Sequence, residues 1–130
     1  MKQHIGHLSV LVNDYDEAIA FYVDKLQFEV LDDIDQGEGK RWVLIAPKGA
    51  SNFSLLLAKA SSEGQQLLVG NQTGGRVFLF LYTDDIERDY QNLLDKKVTI
   101  VEELTSKPHG TVLVFADLYG NLWDLIQPSK

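Results

Sequence analysis

The groups in this chain that can do chemistry are few. It has three histidines and no cysteine, so thiol nucleophiles, disulfides and thiolate metal sites are excluded. His7 lies in an apolar run, Ile5 to Val12, and Asp124 lies in another, Asn121 to Ile126. If the two face each other across a cleft, the carboxylate orients the ring and the pair can transfer a proton. Taken singly, His7 reads as a strand histidine bonded to a neighbour. Asp124 alone reads as a buried polar group that requires a partner. His109 lies in the loop Lys107-Pro108-His109-Gly110, where it can rim a cleft and meet a ligand carboxylate. Gly74-Gly75-Arg76 precedes a strand rather than a helix, so it is a turn and not a phosphate cradle. Asp32, Asp33, Asp35 and Glu38 lack calcium-loop spacing and read as a solvated edge. No nucleophile elbow is present.

These residues sit in a chain of 130 amino acids, 45% hydrophobic and 24% charged, which is the composition of a folded globular domain. A net charge of −7 with no basic cluster argues against nucleic acid and anionic membranes as partners. Apolar runs are too short for a bilayer span and no signal pattern opens the chain, which predicts a soluble cytoplasmic protein.

Periodicity supplies the elements. Ile5 to Val12 reads as a strand, followed by Asp14 as a helix N-cap with Glu17 at the capping-box position. Tyr15, Ala18, Ile19, Tyr22, Val23 and Leu26 share one helical face. Phe28 to Ile34, Arg41 to Ala46 and Phe53 to Ala58 read as three more strands. The order then repeats. Arg76 to Thr83 is a strand, Asp84 caps a helix with Glu87 in the box, and Ile86, Tyr90, Leu93 and Leu94 form its buried face. Thr99 to Leu104, Thr111 to Ala116 and Asn121 to Ile126 follow as strands. Aligning helix starts at Asp14 and Asp85, 71 residues apart, places Leu8 on Leu79, Val10 on Leu81, Tyr22 on Leu93 and Val30 on Val101 without a gap. The prediction is an α+β fold of two tandem βαβββ modules, about 1–60 and 76–130, in one domain spanning 1–130. Residues 61–75, rich in Ser, Gly, Gln and Asn, read as a linker. Its apolar Leu67, Leu68 and Val69 suggest packing against a second subunit.

Strand alternation assigns faces. Leu8, Val10, Val12, Leu55, Leu57, Val77, Leu79, Leu81, Trp123 and Leu125 suit the helix-covered side. The other side carries His7 and Ser9, Ser54 and Leu56, Phe78, Phe80 and Tyr82, then Leu122 and Asp124. A curved sheet with such a mixed polar and aromatic face offers a small-molecule cleft. Trp42, Phe78, Phe80, Tyr82 and Phe115 as a set suggest an apolar or aromatic ligand.

The run His7-Leu8-Ser9-Val10-Leu11-Val12, Asp14, and Ala20-Phe21-Tyr22 resembles the opening of vicinal-oxygen-chelate proteins. Thr83-Asp84-Asp85-Ile86 and Asp117-Leu118-Tyr119-Gly120-Asn121 leading into Trp123-Asp124-Leu125 extend the likeness over nearly the whole chain. The superfamily includes glyoxalase I, extradiol dioxygenases, fosfomycin-resistance thiol transferases and bleomycin-binding proteins. The resemblance implies a half-barrel cleft built from the paired modules, commonly in a dimer. It also implies a metal ligand on the first and last strand of each module. His7 and Asp124 match two of those positions, Asp124 standing where the family usually has Glu. Leu56 and Phe78 occupy the other two and cannot bind a metal, nor can their neighbours Leu55, Leu57, Val77 and Leu79. Two ligands make a weak site, since a catalytic metal normally has three protein groups and a water. Gln127, His4 or a chelating substrate would have to supply the rest.

The expected function is binding of a small, partly aromatic organic molecule in a cleft without cofactor or metal. Ser9, Trp42, Leu56, Phe78, Phe80, Phe115 and His109 are the candidate ligand contacts, and the acidic charge favours cationic ligands. Two alternatives stand beside it: a metal-dependent lyase, isomerase, dioxygenase or thiol transferase using His7 and Asp124, and a metal-free enzyme using them as a proton-transfer pair. A homodimer is the expected assembly.

Overall fold

The computed structural model describes residues 1–50 and 52–129. Its contacts divide the chain into two compact units, Met1–Val69 and Gly70–Lys130. The first runs β1 (His7–Val12), α1 (Tyr15–Ala20) continuing as a π-turn (Phe21–Lys25), β2 (Phe28–Gly37), β3 (Lys40–Pro47), β4 (Ser54–Lys59) and α2 (Glu63–Leu68). The second runs β5 (Leu79–Tyr82), α3 (Ile86–Asp95), β6 (Thr99–Lys107), β7 (Gly110–Ala116) and β8 (Leu122–Pro128). The sheets have the same order, β1-β4-β3-β2 and β5-β8-β7-β6. In each, the first strand pairs parallel with the last, and the remaining pairs are antiparallel. The α+β class and the repeated βαβββ plan are therefore present.

Capping explains where the helices start. The Asp14 carboxylate accepts the Glu17 backbone N–H at 2.9 Å, satisfying a donor that has no partner inside the helix. In the second unit the cap is Asp85, which accepts from the Arg88 N–H at 3.1 Å, so the expectation of Asp84 shifts by one residue. Asp84 instead pairs with Arg88 on the surface at 3.0 Å.

The repeat is not gap-free. Asp14 and Asp85 are equivalent, but the matching bulges lie between Val30 and Asp32 in β2 and between Ile100 and Glu102 in β6. The left-handed residues before these strands, Gln27 and Lys97, are likewise 70 apart. Val30 thus corresponds to Ile100 rather than Val101. The π-turn Phe21–Lys25 explains the slip, since it inserts one residue into a helix without ending it. Phe21 and Tyr22 are both buried there.

Each core lies between its helix and sheet. Val10, Val12, Tyr22, Val43, Ile45 and Leu57 are fully buried in the first, and Leu113, Phe115 and Leu125 in the second. Leu8 at the open end of β1 and Leu94 on α3 are exposed, against expectation. Only Ile86 and Leu93 of α3 are buried, while Tyr90 reaches out to donate to Glu103 at 2.6 Å.

Strand β5 is shorter than its apolar run. Phe78 and Thr83 each donate one bond to β8, to Leu122 and Ile126, at 2.8 and 2.9 Å. Arg76 falls outside, its carbonyl accepting from the Thr73 hydroxyl at 2.6 Å. Strands β2 and β3 are longer than expected and join in a hairpin through Glu38 and Gly39. Residues 61–75 carry α2, capped by Ser62. Gly70 follows with φ +79°, packed so closely on the Tyr119 carbonyl that any side chain would collide with it.

Candidate functional site

The open face of the first sheet assembles most of a site. Ladder register sets His7 beside Ser54, Ser9 beside Leu56, and Leu56 beside Leu44. Trp42 lies two residues from Leu44 and shares its side of the sheet. Its ring meets that of His7 edge to face, with centroids 5.9 Å apart and planes at 82°.

Ser9, Leu11, Trp42, Leu56 and Ala58 floor a groove of about 880 Å³. Its walls are the hairpin tip from Gln36 to Arg41, the α1 residue Tyr15, and Lys59 to Ser61 with Gln65. That volume lies within the range of drug-sized ligand pockets. Arg41 stiffens the wall. Its guanidinium binds Asp33 at 2.6 Å and Asp16 at 2.9 Å and lies 5.1 Å over the Tyr15 ring. The Tyr15 hydroxyl in turn accepts the Arg41 backbone N–H at 3.1 Å. Hydrogen bonding to Arg41 lowers the Asp33 pKa against the opposing effect of burial.

His7 is bound rather than loose. Its Nδ1 lies 2.7 Å from the Ser54 hydroxyl, and Ser54 is only 5% exposed. Sequence placed Ser54 on the same face as His7 but did not pair the two. A serine two positions from Leu56 on an apolar strand is the signal that would have found the pairing. Tyr15, Arg41, Lys59 and Gln65 were also missed, because the groove depends on how a hairpin and a helix end curl over the sheet.

The second unit holds the remaining candidates. Phe80 and Asp124 are cross-strand partners, as are Val114 and Asp124. Phe80 is 60% exposed and Phe78 half-buried on the same side. Asp124 is half-buried, and burial raises its pKa. Lys107 and His109 pull it down in part, and Glu102 pushes it up. His109 therefore sits in the electrostatic surroundings of Asp124. Phe115 does not belong to this face. It is fully buried and stacks on Trp123 with centroids 5.8 Å apart, filling the core under α3. Alternation explains it, since Phe115 pairs with Trp123 and not with Asp124.

The donor set does not fit a chelated metal. Among the described residues no group of three or more His, Asp or Glu side chains is placed to hold an ion. Gln127 is unsuited as a spare ligand, since its carbonyl oxygen accepts the Ile86 N–H at the α3 start at 2.9 Å. No helix among the described residues is long and apolar enough to cross a membrane.

Comparison with known proteins gives a consistent set of matches. The model of the Glyoxalase/Bleomycin resistance protein/Dioxygenase superfamily matches residues 4–125. An uncharacterized protein of Shewanella frigidimarina (strain NCIMB 400) is 54% identical over 128 residues, covering 98% of this chain and 95% of that one. The crystal structure of UcmS2 superposes with a TM-score of 0.84 at 31% identity, covering 97% of this chain and 98% of that one. TnmS3, an antibiotic binding protein from Streptomyces sp. CB03234, superposes with a TM-score of 0.79 at 32% identity, covering 98% of both chains.

Proposed function

The chain belongs to the Glyoxalase/Bleomycin resistance protein/Dioxygenase superfamily, and from that membership we propose that it binds a small, partly aromatic organic molecule without a metal. The observation that carries this reading is the groove over Ser9, Trp42 and Leu56, drug-sized and lined by the aromatic Tyr15 and Trp42, by amide and hydroxyl side chains, and by the charged Glu38, Lys40, Arg41 and Lys59. The likeness to an antibiotic binding protein supports a small-molecule ligand. The absence of a chelating donor set among the described residues favours binding over metal-dependent turnover. We also propose Phe78, Phe80, Asp124 and His109, in the second unit, as ligand contacts. We read both modules as one domain, a reading supported by a family match over residues 4–125. We place the protein in the cytoplasm as a homodimer.

Fluorescence tests the reading directly. The chain has two tryptophans, and Trp123 is buried in the second core. A ligand in the groove therefore reports through Trp42. Titration with bleomycin and a panel of polycyclic aromatic antibiotics is expected to give saturable quenching at micromolar concentration. The signal should vanish in Trp42→Phe. A panel that leaves Trp42 unchanged, or quenching that survives the substitution, removes the groove as the binding site.

A further inference from the structure

We infer that Ser54 locks His7 in the form protonated on Nε2, making the ring a fixed hydrogen-bond donor for an acceptor oxygen on the ligand. The inference rests on the binding reading above and deepens it by naming what the ligand must present: a carbonyl, carboxylate or phenolate oxygen.

The argument is one of satisfying a buried hydroxyl. Ser54 is 5% exposed, and among the described residues its hydroxyl has one partner, His7 Nδ1 at 2.7 Å. Its backbone N–H is taken by the Gly6 carbonyl at 3.1 Å. A neutral imidazole carries one proton on one nitrogen. If Nδ1 bore it, Nδ1–H would donate to Ser54 Oγ, and the serine proton would point into the protein with nothing to accept it. Such a stranded donor is costly. If Nε2 bears the proton, Ser54 O–H donates to Nδ1 and both groups are satisfied. Among the described residues the ring makes no other hydrogen bond, so Nε2–H faces the open side beside Trp42.

The same logic sets His7 apart from a metal-binding histidine. Such a ring needs an unprotonated nitrogen for the metal and an acceptor for its other N–H, usually a carboxylate or carbonyl. Ser54 can accept only by leaving its own proton without an acceptor among the described residues. It is a positioning residue that favours a donor over a base or a metal ligand at this site.

The test reads the tautomer itself. Uniformly 15N-labelled protein, free of metal and ligand, is examined by long-range proton–nitrogen correlation under alkaline conditions where imidazoles are neutral. His7 is identified by the signals lost in His7→Gln. Exposed His4 serves as an internal reference. Wild type is expected to favour Nε2–H at His7 by at least about tenfold, the bias that a stranded buried donor imposes, and by more than at His4. Ser54→Ala should bring His7 down to the His4 ratio, and Ser54→Thr should keep the wild-type ratio. A majority of Nδ1–H in wild type, or no movement in folded Ser54→Ala, overturns the inference. If Ser54→Ala does not fold, the wild-type ratio against His4 decides alone. No ligand enters this experiment, so its failure is distinct from a failure of the Trp42 titration.

Discussion

His7 lies on an edge strand and Asp124 on a central one, and their surroundings give them different chemistry. His7 has a neutral hydroxyl beside it, whereas Asp124 is half-buried among Lys107, His109 and Glu102. Burial raises the Asp124 pKa, so the folded chain keeps that proton to higher pH than the unfolded chain does. The folded state binds more protons in that window. Stability therefore falls as pH climbs from the ordinary carboxylate range through the raised value, and is level above it. Asp124→Asn removes the charge that burial disfavours. It is expected to raise the melting temperature at neutral pH and to lose that advantage in acid, as read by thermal unfolding across pH. A stabilisation that persists unchanged in acid would show that the charge is not its cause. Much of this was legible in sequence. Period-two alternation put His7, Ser9, Leu56, Phe80 and Asp124 on the side away from the helices, because that rule depends only on backbone pleating. Phe115 was misplaced for the complementary reason. Its aromatic character suggested a cleft, but its side is fixed by pairing with Trp123, and register across β7 and β8 is not written in either strand alone.

At the level of elements, two of the three capped helices and all eight strands were legible to within a few residues of their ends. Local signals sufficed there: Asp14 before an amphipathic run, and β-branched alternation between glycine-rich turns. β5 shrinks most in proportion: of the eight residues expected, only Leu79–Tyr82 pair regularly with β8. The π-turn was invisible, since one extra residue in a helix leaves the apolar pattern almost intact while rotating Phe21 inward. The segment read as a linker hid a second constraint. Gly70 has φ +79° and lies against the Tyr119 carbonyl, in the turn where the Asp117 carboxylate accepts the N–H groups of Tyr119 and Asn121 at 2.9 Å each. Gly70→Ala combines a left-handed backbone with a collision against main chain. It should cost about 2 kcal/mol or more in denaturant unfolding. Alanine at Gly74, also left-handed but with open space around it, should cost only about 1 kcal/mol. Equal costs at the two positions would show that the Tyr119 contact contributes nothing.

At the scale of the whole molecule, the four sheet edges are treated in two different ways. The edge strands β2 and β6 are bulged and carry Glu29, Asp32, Asp33 and Asp35, and Glu102, Glu103 and Lys107. Such features block pairing with another chain. The other edges, β1 and β5, read HLSVLV and LFLY and contain no Asp, Glu, Lys or Arg. Each is hydrogen-bonded within its sheet on one side only. Around them Ile5, Phe80 and Tyr82 are 79%, 60% and 65% exposed, and Leu67 on α2 is exposed as well. An edge left apolar and unguarded in a chain of net charge −7 is an aggregation hazard unless something covers it. A second copy of the chain is the cover that the proposed homodimer supplies. Sedimentation at micromolar concentration should then return twice 14.6 kDa. Phe80→Lys combined with Tyr82→Lys should return the single-chain mass while leaving the circular dichroism unchanged, because neither side chain is part of a core. Wild-type protein that sediments at 14.6 kDa would remove the dimer and leave these edges exposed for another reason.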